Sequence, residues 1–235
     1  MKNLKVPNHL AVIVDGNRRW ARKRGLLPWE GHKYGAKKVE KLLEWCLELG
    51  VQHLSVYVLS TENIEKRPKR EVQELFRLFK EYIKRLEKDN FSLLEKYEVR
   101  VKFVGDLKRL PSSLVKLAER VMKKTSKFNK RFFNVLIAYG SHFEITQAFR
   151  KLAQKLIESG RIEITPKDIE QNLLVPVPVD LIIRTGGYHR LSNFLLWQAS
   201  YAELYVTQTL WPDFTKEELI KAIEWYSNVE RHFGR

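Results

Sequence analysis

The sequence predicts an α/β protein whose central sheet is mainly parallel, has about six strands and is flanked by helices. Short apolar runs typical of buried strands alternate along the chain with longer segments whose apolar residues recur at helical spacing. Strands and helices that alternate in this way form parallel sheets covered on both faces. No low-complexity linker or internal repeat divides the 235 residues, so we expect a single domain over residues 1–235.

The first part of the chain gives three strand signals and two long helix signals. Gly50 is a natural C-cap for the first long helix. Asp89-Asn90 marks a break after the second one. The predicted elements are a strand at 10–14, a helix at 36–49, a strand at 53–59, a helix at 71–88 that continues at 91–97, and a strand at 99–104.

The second part continues the alternation and ends in a helix. The predicted elements are a helix at 111–124, a strand at 132–138, a helix at 144–159, strands at 180–183 and 202–207, and a helix at 215–230. Ligands of such sheets bind beyond the carboxyl ends of the strands. Polar residues follow three predicted strands, at Asp15, at 60–63 and at 184–193. They therefore predict one site at one edge of the sheet.

Composition narrows the classes of partner. A formal net charge of +15 suits nucleic acid, an anionic membrane surface or phosphorylated substrates. Most lysines lie in mixed Lys/Glu helices, which are typical of solvated faces, and no nucleic-acid-binding motif occurs, so we expect no nucleic acid partner. No apolar run could span a bilayer and the first residues lack the core of a signal peptide, so we expect a cytoplasmic protein. A single cysteine, Cys46, excludes an intramolecular disulfide and a cysteine-based zinc site.

The first candidate site is the stretch Val14-Asp15-Gly16-Asn17-Arg18-Arg19-Trp20. A carboxylate at the end of a strand, followed by backbone amides that open a helix, suits a metal-bound phosphate. Asp-Gly-Asn is also a common turn sequence. The local pattern leaves both interpretations open.

Four other features have two interpretations each. Arg184 and Arg190 flank two glycines after a buried strand, which favours a diphosphate clamp or a surface turn with solvated arginines. Glu203 lies among aromatic and apolar residues and needs an arginine or a metal ion as partner. His32, between Gly31 and Gly35, could orient a phosphate or donate a proton, or it could cap a helix or pack against one. The apolar face of residues 71–86 could be core or the lining of an apolar tunnel.

Several enzyme classes lose support because their motifs do not occur. The sequence contains no Gly-x-Gly-x-x-Gly after the first strand and no Walker-type loop. It also contains no Gly-x-Ser-x-Gly. Nicotinamide, ATP and acyl-transfer chemistry are therefore disfavoured.

The ordered motifs resemble those of the cis-prenyltransferases, the undecaprenyl diphosphate synthase family. The resemblance covers nearly the whole chain, from His9 to residues 230–234. The segments that carry it are Val14 through Ala21, Gly31-His32 with Gly35, Ser60-Thr61-Glu62-Asn63, Val104-Gly105-Asp106, residues 184–197, Tyr201 through Tyr205, and Leu210 through Phe214.

This resemblance implies a homodimeric, Mg²⁺-dependent enzyme with an apolar tunnel. An apolar product and a basic surface also predict peripheral contact with a membrane. Such enzymes add isopentenyl diphosphate to an allylic diphosphate of the farnesyl or geranylgeranyl type, and each new double bond is cis. The product is a cis-polyprenyl diphosphate, the precursor of a glycosyl carrier lipid. The alternative is a non-catalytic partner subunit of a heteromeric enzyme. Such subunits typically lose the Asp-Gly-Asn region, which is present here.

The family's site residues carry over by position. Asp15 would bind Mg²⁺ and help the allylic diphosphate leave, Asn63 would lie near the reacting centre, and Glu203 would complete the metal site. The other residues implied in substrate binding are Gly16, Asn17, Arg18, Arg19, Trp20, His32, Ser60, Glu62, Arg67, Arg184, Arg190 and Ser192.

Four departures from the family pattern bear on substrate preference. Pro28 stands where many members have an arginine, and Ile64 where an aromatic residue is usual. Ser141-His142 replaces Gly-Arg, and Tyr188 stands where a glutamate is frequent.

Overall fold

A six-stranded parallel sheet organises the computed structural model, which describes residues 4–88, 91–160 and 163–230. The order of the strands across the sheet is β3-β4-β2-β1-β5-β6, and every pair of neighbours is parallel. The predicted fold class is confirmed. The strands are β1 (His9–Ile13), β2 (His53–Ser60), β3 (Val99–Val104), β4 (Arg131–Tyr139), β5 (Leu181–Arg184) and β6 (Glu203–Val206).

Helices connect the strands and cover both faces of the sheet. None of the helices in the described ranges is long and apolar enough to cross a membrane. The helices are α1 (Asn17–Arg22), α2 (Glu30–Leu49), α3 (Thr61–Lys66), α4 (Lys69–Lys88), α5 (Phe91–Lys96), α6 (Ser112–Thr125), α7 (Ser141–Ser159), α8 (Pro166–Asn172) and α9 (Lys216–Asn228).

Strand β1 shows why the first apolar run was readable as a buried strand. Leu10 and Val12 pack into the core on one face of the sheet. Ala11 and Ile13 pack into the core on the other face. A parallel strand with both faces buried has no polar side, so its sequence is continuously apolar.

The start of α2 differs most from its prediction, because the helix begins at Glu30 rather than at residue 36 and includes Gly31 and Gly35. A Cβ atom on Gly31 would lie 2.1 Å from the backbone oxygen of Asn17. A Cβ atom on Gly35 would lie 2.1 Å from Asn17 Oδ1. The glycines therefore allow α2 to pack closely against the start of α1 rather than breaking the helix.

Helices α3 and α8 were not predicted, because helices this short leave little periodicity to read. Their start signals are nevertheless present. The Ser60 hydroxyl accepts a hydrogen bond from the amide of Asn63 (3.0 Å). Thr165 and Asp168 form a capping box at α8. The break predicted at Asp89-Asn90 lies outside the described residues.

A buried polar network crosses the sheet at His9, which lies on β1. Its Nε2 is 2.8 Å from the hydroxyl of Ser55 on β2. The same hydroxyl accepts a hydrogen bond from the side-chain amide of Asn134 on β4 (3.0 Å). Burial, and then the neighbouring His53, lower the pKa of His9 from 6.5 to about 4. The imidazole is therefore neutral at pH 7.

We expect His9 to make the fold acid-sensitive. The unfolded chain binds a proton at this position below about pH 6.5, whereas the folded chain does so only near the depressed pKa, so stability is lost as the pH falls through that window. Between pH 7 and pH 5 the free energy of unfolding should fall by about 2 kcal/mol through this group alone. Urea titrations at both pH values should show a smaller fall in His9→Gln. His142→Gln, at an exposed histidine, should keep the full fall, and an equal fall in His9→Gln would contradict the assignment.

Candidate active site

Three strands place the predicted polar clusters at one edge of the sheet, as expected. Asp15 follows β1, Ser60 ends β2 and Arg184 ends β5. Ile13 is paired with Arg184 and with Tyr57 in the register of the sheet, so these ends are neighbours. A cleft at this edge is lined by Asp15, Asn17, His32, Ser60, Asn63, Arg67, Arg184 and Ser192, together with apolar residues of β1 and β2.

Among the described residues that line the cleft, Asp15 is the only acidic one. Its Oδ2 accepts a hydrogen bond from Arg184 Nη2 (2.9 Å), and its Oδ1 lies 3.4 Å from Arg19 Nη2. The carboxylate is 30% exposed, whereas the side chain of Arg184 is only 4% exposed. Asp15 thus balances two arginines while it keeps a solvent-facing part.

Arg184 connects this carboxylate to the loop that follows β5. Its Nη1 donates to the hydroxyl of Ser192 (2.9 Å) and also to the carbonyl of Arg190. These contacts explain why a strand that is otherwise fully apolar ends in an arginine. The buried guanidinium has a charged partner and two oxygen acceptors.

The start of α1 is shaped by Gly16, whose φ of 112° lies in the left-handed region. A Cβ atom here would also meet the Leu210 side chain at 2.9 Å, so position 16 favours glycine on two grounds. No side chain caps the first turn of α1. Uncapped amides at the start of a helix are suited to an anionic ligand.

A second cluster surrounds Glu71, whose side chain is only 2% exposed. Its Oε1 lies 3.2 Å from Arg67 Nη1, 3.4 Å from His32 Nε2 and 3.5 Å from Arg18 Nε. Hydrogen bonding to His32, followed by the charges of Arg67 and Arg18, holds the pKa of Glu71 below its usual range. Burial lowers the pKa of His32. Glu71 therefore gathers three predicted binding residues around one buried negative charge.

Sequence reasoning missed Glu71. Its only signal in the sequence is the i,i+4 spacing from Arg67, which is common on exposed helices. The contacts with His32 on α2 and Arg18 on α1 arise only in the tertiary structure.

We expect Glu71→Gln to lower kcat/KM for the substrate bound in this cleft by about tenfold, because a neutral amide cannot balance the charges of Arg18 and Arg67. The midpoint of thermal unfolding should fall as well. The control is Glu74→Gln, one turn along α4, where the carboxylate pairs with Arg77 at the surface. Steady-state kinetics that are unchanged in Glu71→Gln would show that the cluster does not support the site.

Arg67 and Asn193 hold the two predicted site residues of α3, Asn63 and Glu62. Arg67 Nη2 donates to Asn63 Oδ1 (2.7 Å). Asn193 Nδ2 donates to Glu62 Oε1 (2.8 Å). Burial alone would raise the pKa of Glu62, but the hydrogen bonds from Asn193, the backbone, Ser60 and Thr61 lower it overall. Glu62 thus ties α3 to the loop after β5.

Seven predicted site residues are not among the residues that line this cleft: Gly16, Arg18, Arg19, Trp20, Glu62, Arg190 and Glu203. In the part of the chain that the structure describes, Trp20 and Glu203 also form no side-chain hydrogen bond or ion pair with the residues that line it. Trp20 is buried, and its Nε1–H donates a hydrogen bond to Asp213 Oδ1 (2.6 Å). Its only polar side-chain group is therefore already paired within the chain. Glu203 is paired in register with Leu181 at the amino end of β5, whereas Arg184 marks the carboxyl end. Within one chain Glu203 is therefore not brought to Asp15. Among the described residues no three His, Cys, Asp or Glu side chains are grouped to hold a metal.

An apolar cavity adjoins the cleft and shares Val14, Asn17, His32 and Val58 with it. Its walls come mainly from α2 and α4, so the apolar face of residues 71–86 lines a cavity as well as contributing to the core. Tyr82 is one of the lining residues, and its buried hydroxyl has no hydrogen-bond partner among the described residues. The other lining residues are Gly35, Ala36, Val39, Leu75, Leu78, Phe79, Ile83, Phe103, Val135 and Trp211.

Fold and site together define a class of protein: a parallel α/β protein whose cationic cleft opens beside an apolar cavity, suited to a ligand with an anionic head and an apolar tail. The prenyltransferase family model for undecaprenyl diphosphate synthases matches residues 13–234. The chain belongs to the undecaprenyl diphosphate synthase family.

Curated relatives and solved structures agree with this assignment. A Methanopyrus kandleri protein named tritrans,polycis-undecaprenyl-diphosphate synthase (geranylgeranyl-diphosphate specific) is 43% identical over 100% of this chain and 87% of its own length. An Aquifex aeolicus isoprenyl transferase is 43% identical over 99% of this chain and 98% of its own. Lavandulyl diphosphate synthase from Lavandula x intermedia, solved with dimethylallyl diphosphate, has a TM-score of 0.89 at 33% identity, covering 98% of this chain and 99% of that one.

Proposed function

We propose that the protein is a cis-prenyltransferase that condenses isopentenyl diphosphate onto an allylic diphosphate and releases a cis-polyprenyl diphosphate, the precursor of a glycosyl carrier lipid. The observation that carries this proposal is the shared lining of the cationic cleft and the apolar cavity. A diphosphate held by arginines in the cleft would place its isoprenoid tail in the cavity. Family membership supports the same chemistry.

The chain's own residues would bind and orient the two diphosphates. Arg19 and the amides at the start of α1 would hold one, and Arg190, Ser192 and Arg184 the other. Asn63, fixed by Arg67, would lie beside the reacting carbons. The apolar walls would exclude water from the allylic cation that forms when diphosphate leaves.

The residues fit a Mg²⁺ ion that is bound largely by substrate. Mg²⁺ is commonly held by one or two carboxylates together with substrate phosphates and water, and Asp15 offers one partly exposed carboxylate in the cleft. When bound, Mg²⁺ would neutralise the charge that develops on the departing diphosphate. Glu203 as a second ligand stays a prediction that contacts within one chain do not support.

Incorporation of labelled isopentenyl diphosphate tests the proposal. The purified chain is incubated with primers of 10, 15 or 20 carbons, with Mg²⁺ or with a chelator, and the products are sized by chromatography. We expect elongation that requires Mg²⁺. We propose the geranylgeranyl primer as the preferred one, because archaeal relatives are named specific for it. If no primer is elongated, the proposed enzymatic activity is overturned and the alternative of a non-catalytic partner subunit is favoured.

Tyr82 is expected to limit product length. A growing apolar chain that reaches this residue meets its large aromatic side chain. Tyr82→Ala should therefore shift the products to longer chains, whereas Tyr82→Phe should change them little. Leu86→Ala is the control, because Leu86 is buried on the same helix but is not among the cavity-lining residues. Unchanged chain lengths in Tyr82→Ala would contradict this role.

We also propose that the protein is a cytoplasmic homodimer that can contact a membrane peripherally. Phe149 and Ile157 on α7 expose large apolar side chains, which a second copy could cover. The net charge of +15 would attract anionic lipid. Light scattering should give about twice the chain's 27.9 kDa, and co-sedimentation should favour anionic over neutral vesicles. A monomeric mass in light scattering would reject the homodimer. Equal co-sedimentation with anionic and neutral vesicles would reject the membrane contact.

A further inference from the structure

One aromatic ring beside the cleft is contacted by Arg19, Arg184 and Arg190, of which Arg184 also lines the cleft. The centroid of the Tyr188 ring lies 4.2 Å from Arg190 Cζ, 4.7 Å from Arg19 Cζ and 5.8 Å from Arg184 Cζ. All three distances lie within the range of cation–π attraction. The ring is 40% exposed, so it is not held by burial in the core. The three arginines come from α1, from the end of β5 and from the loop after β5.

The glycines before the tyrosine make this arrangement possible. Gly186 and Gly187 have φ angles of 83° and 78°, a conformation that favours glycine. A Cβ atom on Gly186 would lie 2.2 Å from Arg19 Nη2. The loop backbone therefore passes directly beside the guanidinium of Arg19 and turns so that the next side chain lies against it.

The charges of these arginines are only partly balanced. Asp15 pairs with Arg19 and Arg184. In the described ranges no acidic side chain forms an ion pair with Arg190. Guanidinium groups this close repel one another, and an aromatic face attracts them without cancelling their charge or occupying their N–H donors. A carboxylate at this position would cancel part of their charge and would occupy their N–H donors.

We propose that Tyr188 is a positioning residue: its ring holds the guanidinium groups of Arg19 and Arg190 in place for diphosphate binding and leaves their charge and N–H donors available to the ligand. This inference rests on the proposed function for the identity of the substrate. The chemistry of the ligand's anionic head group does not depend on that function. The inference assigns a binding advantage to Tyr188, one of the four departures from the family pattern that the resemblance indicates.

The test compares Tyr188→Phe, Tyr188→Leu and Tyr188→Glu by calorimetric titration with inorganic pyrophosphate and by steady-state kinetics with isopentenyl diphosphate. Two cation–π contacts at partly exposed positions correspond to about tenfold in affinity. Tyr188→Leu keeps apolar bulk without the ring and should raise the pyrophosphate Kd and the KM by about tenfold, with little change in kcat. Tyr188→Phe should restore both constants to within about twofold of the wild type. Tyr188→Glu should bind pyrophosphate at least as weakly as Tyr188→Leu.

Three results would overturn the inference: wild-type Kd and KM in Tyr188→Leu, failure of Tyr188→Phe to restore binding, or wild-type pyrophosphate affinity in Tyr188→Glu. Tyr201→Leu, at a tyrosine that is 65% exposed and lies outside the arginine cluster, controls for loss of an exposed ring. The proposed function fails separately. If the wild type binds pyrophosphate but incorporates no isopentenyl diphosphate, the enzyme is rejected, whereas the effect of Tyr188 on pyrophosphate affinity is still measured.

Discussion

Asp15→Asn is expected to lower the rate of condensation by about a thousandfold, the size of effect seen when a preorganised electrostatic group is lost from an active site. The amide keeps the shape of the carboxylate but loses the charge that would bind Mg²⁺ and that balances Arg19 and Arg184. Single-turnover incorporation of labelled isopentenyl diphosphate at saturating Mg²⁺ measures the effect.

Asp106→Asn is the matched control for this variant. Asp106 follows β3, in the same parallel sheet, and pairs with Arg109 at 3.0 Å, but it does not line the cleft. Its rate should stay within about twofold of the wild type. Both variants should keep the circular dichroism of the native fold. A rate within tenfold of the wild type in Asp15→Asn would show that this carboxylate is not central to turnover.

Arg184→Lys is expected to lower kcat/KM for isopentenyl diphosphate by about a hundredfold. The guanidinium is nearly fully buried and reaches Asp15, Ser192 and the carbonyl of Arg190 at once. An ammonium group is a single point charge on a flexible stem, so it cannot make the same planar set of contacts. The midpoint of thermal unfolding should also fall, because the carboxylate of Asp15 loses its closest partner.

Arg120→Lys makes the same substitution at the surface. Arg120 holds Glu87 through two hydrogen bonds of 3.1 Å and is well exposed. Surface pairs of this kind contribute about 0–1 kcal/mol, so the kinetics should not change. Equal kinetics of Arg184→Lys and Arg120→Lys would remove Arg184 from the substrate-binding machinery.

The sequence predicted the sheet well because a buried parallel strand leaves a simple signal. Both faces of β1 are covered, and its residues are accordingly apolar without interruption. The start of α2 could not be predicted in the same way. Gly31 and Gly35 resemble helix breakers when read locally, and only their approach to Asn17 shows that close packing requires them.

The site was predictable where its residues follow strands and less so elsewhere. Asp15 and Arg184 stand at strand ends, so topology alone brings them to one edge. Glu71 contacts residues of three other segments, and only its i,i+4 spacing from Arg67 is visible in the local sequence. For Glu203 the apolar surroundings predicted an arginine or a metal ion as partner, and the resemblance selected the metal. The register of β6 places Glu203 away from Asp15 within one chain.

The geometry of the newly formed double bond tests the assigned reaction most directly. The wild-type chain would be supplied with geranylgeranyl diphosphate and ¹³C-labelled isopentenyl diphosphate, and the purified product analysed by NMR. A linear product in which every added unit has a cis double bond is the predicted result. Trans double bonds or a branched condensation product would contradict it.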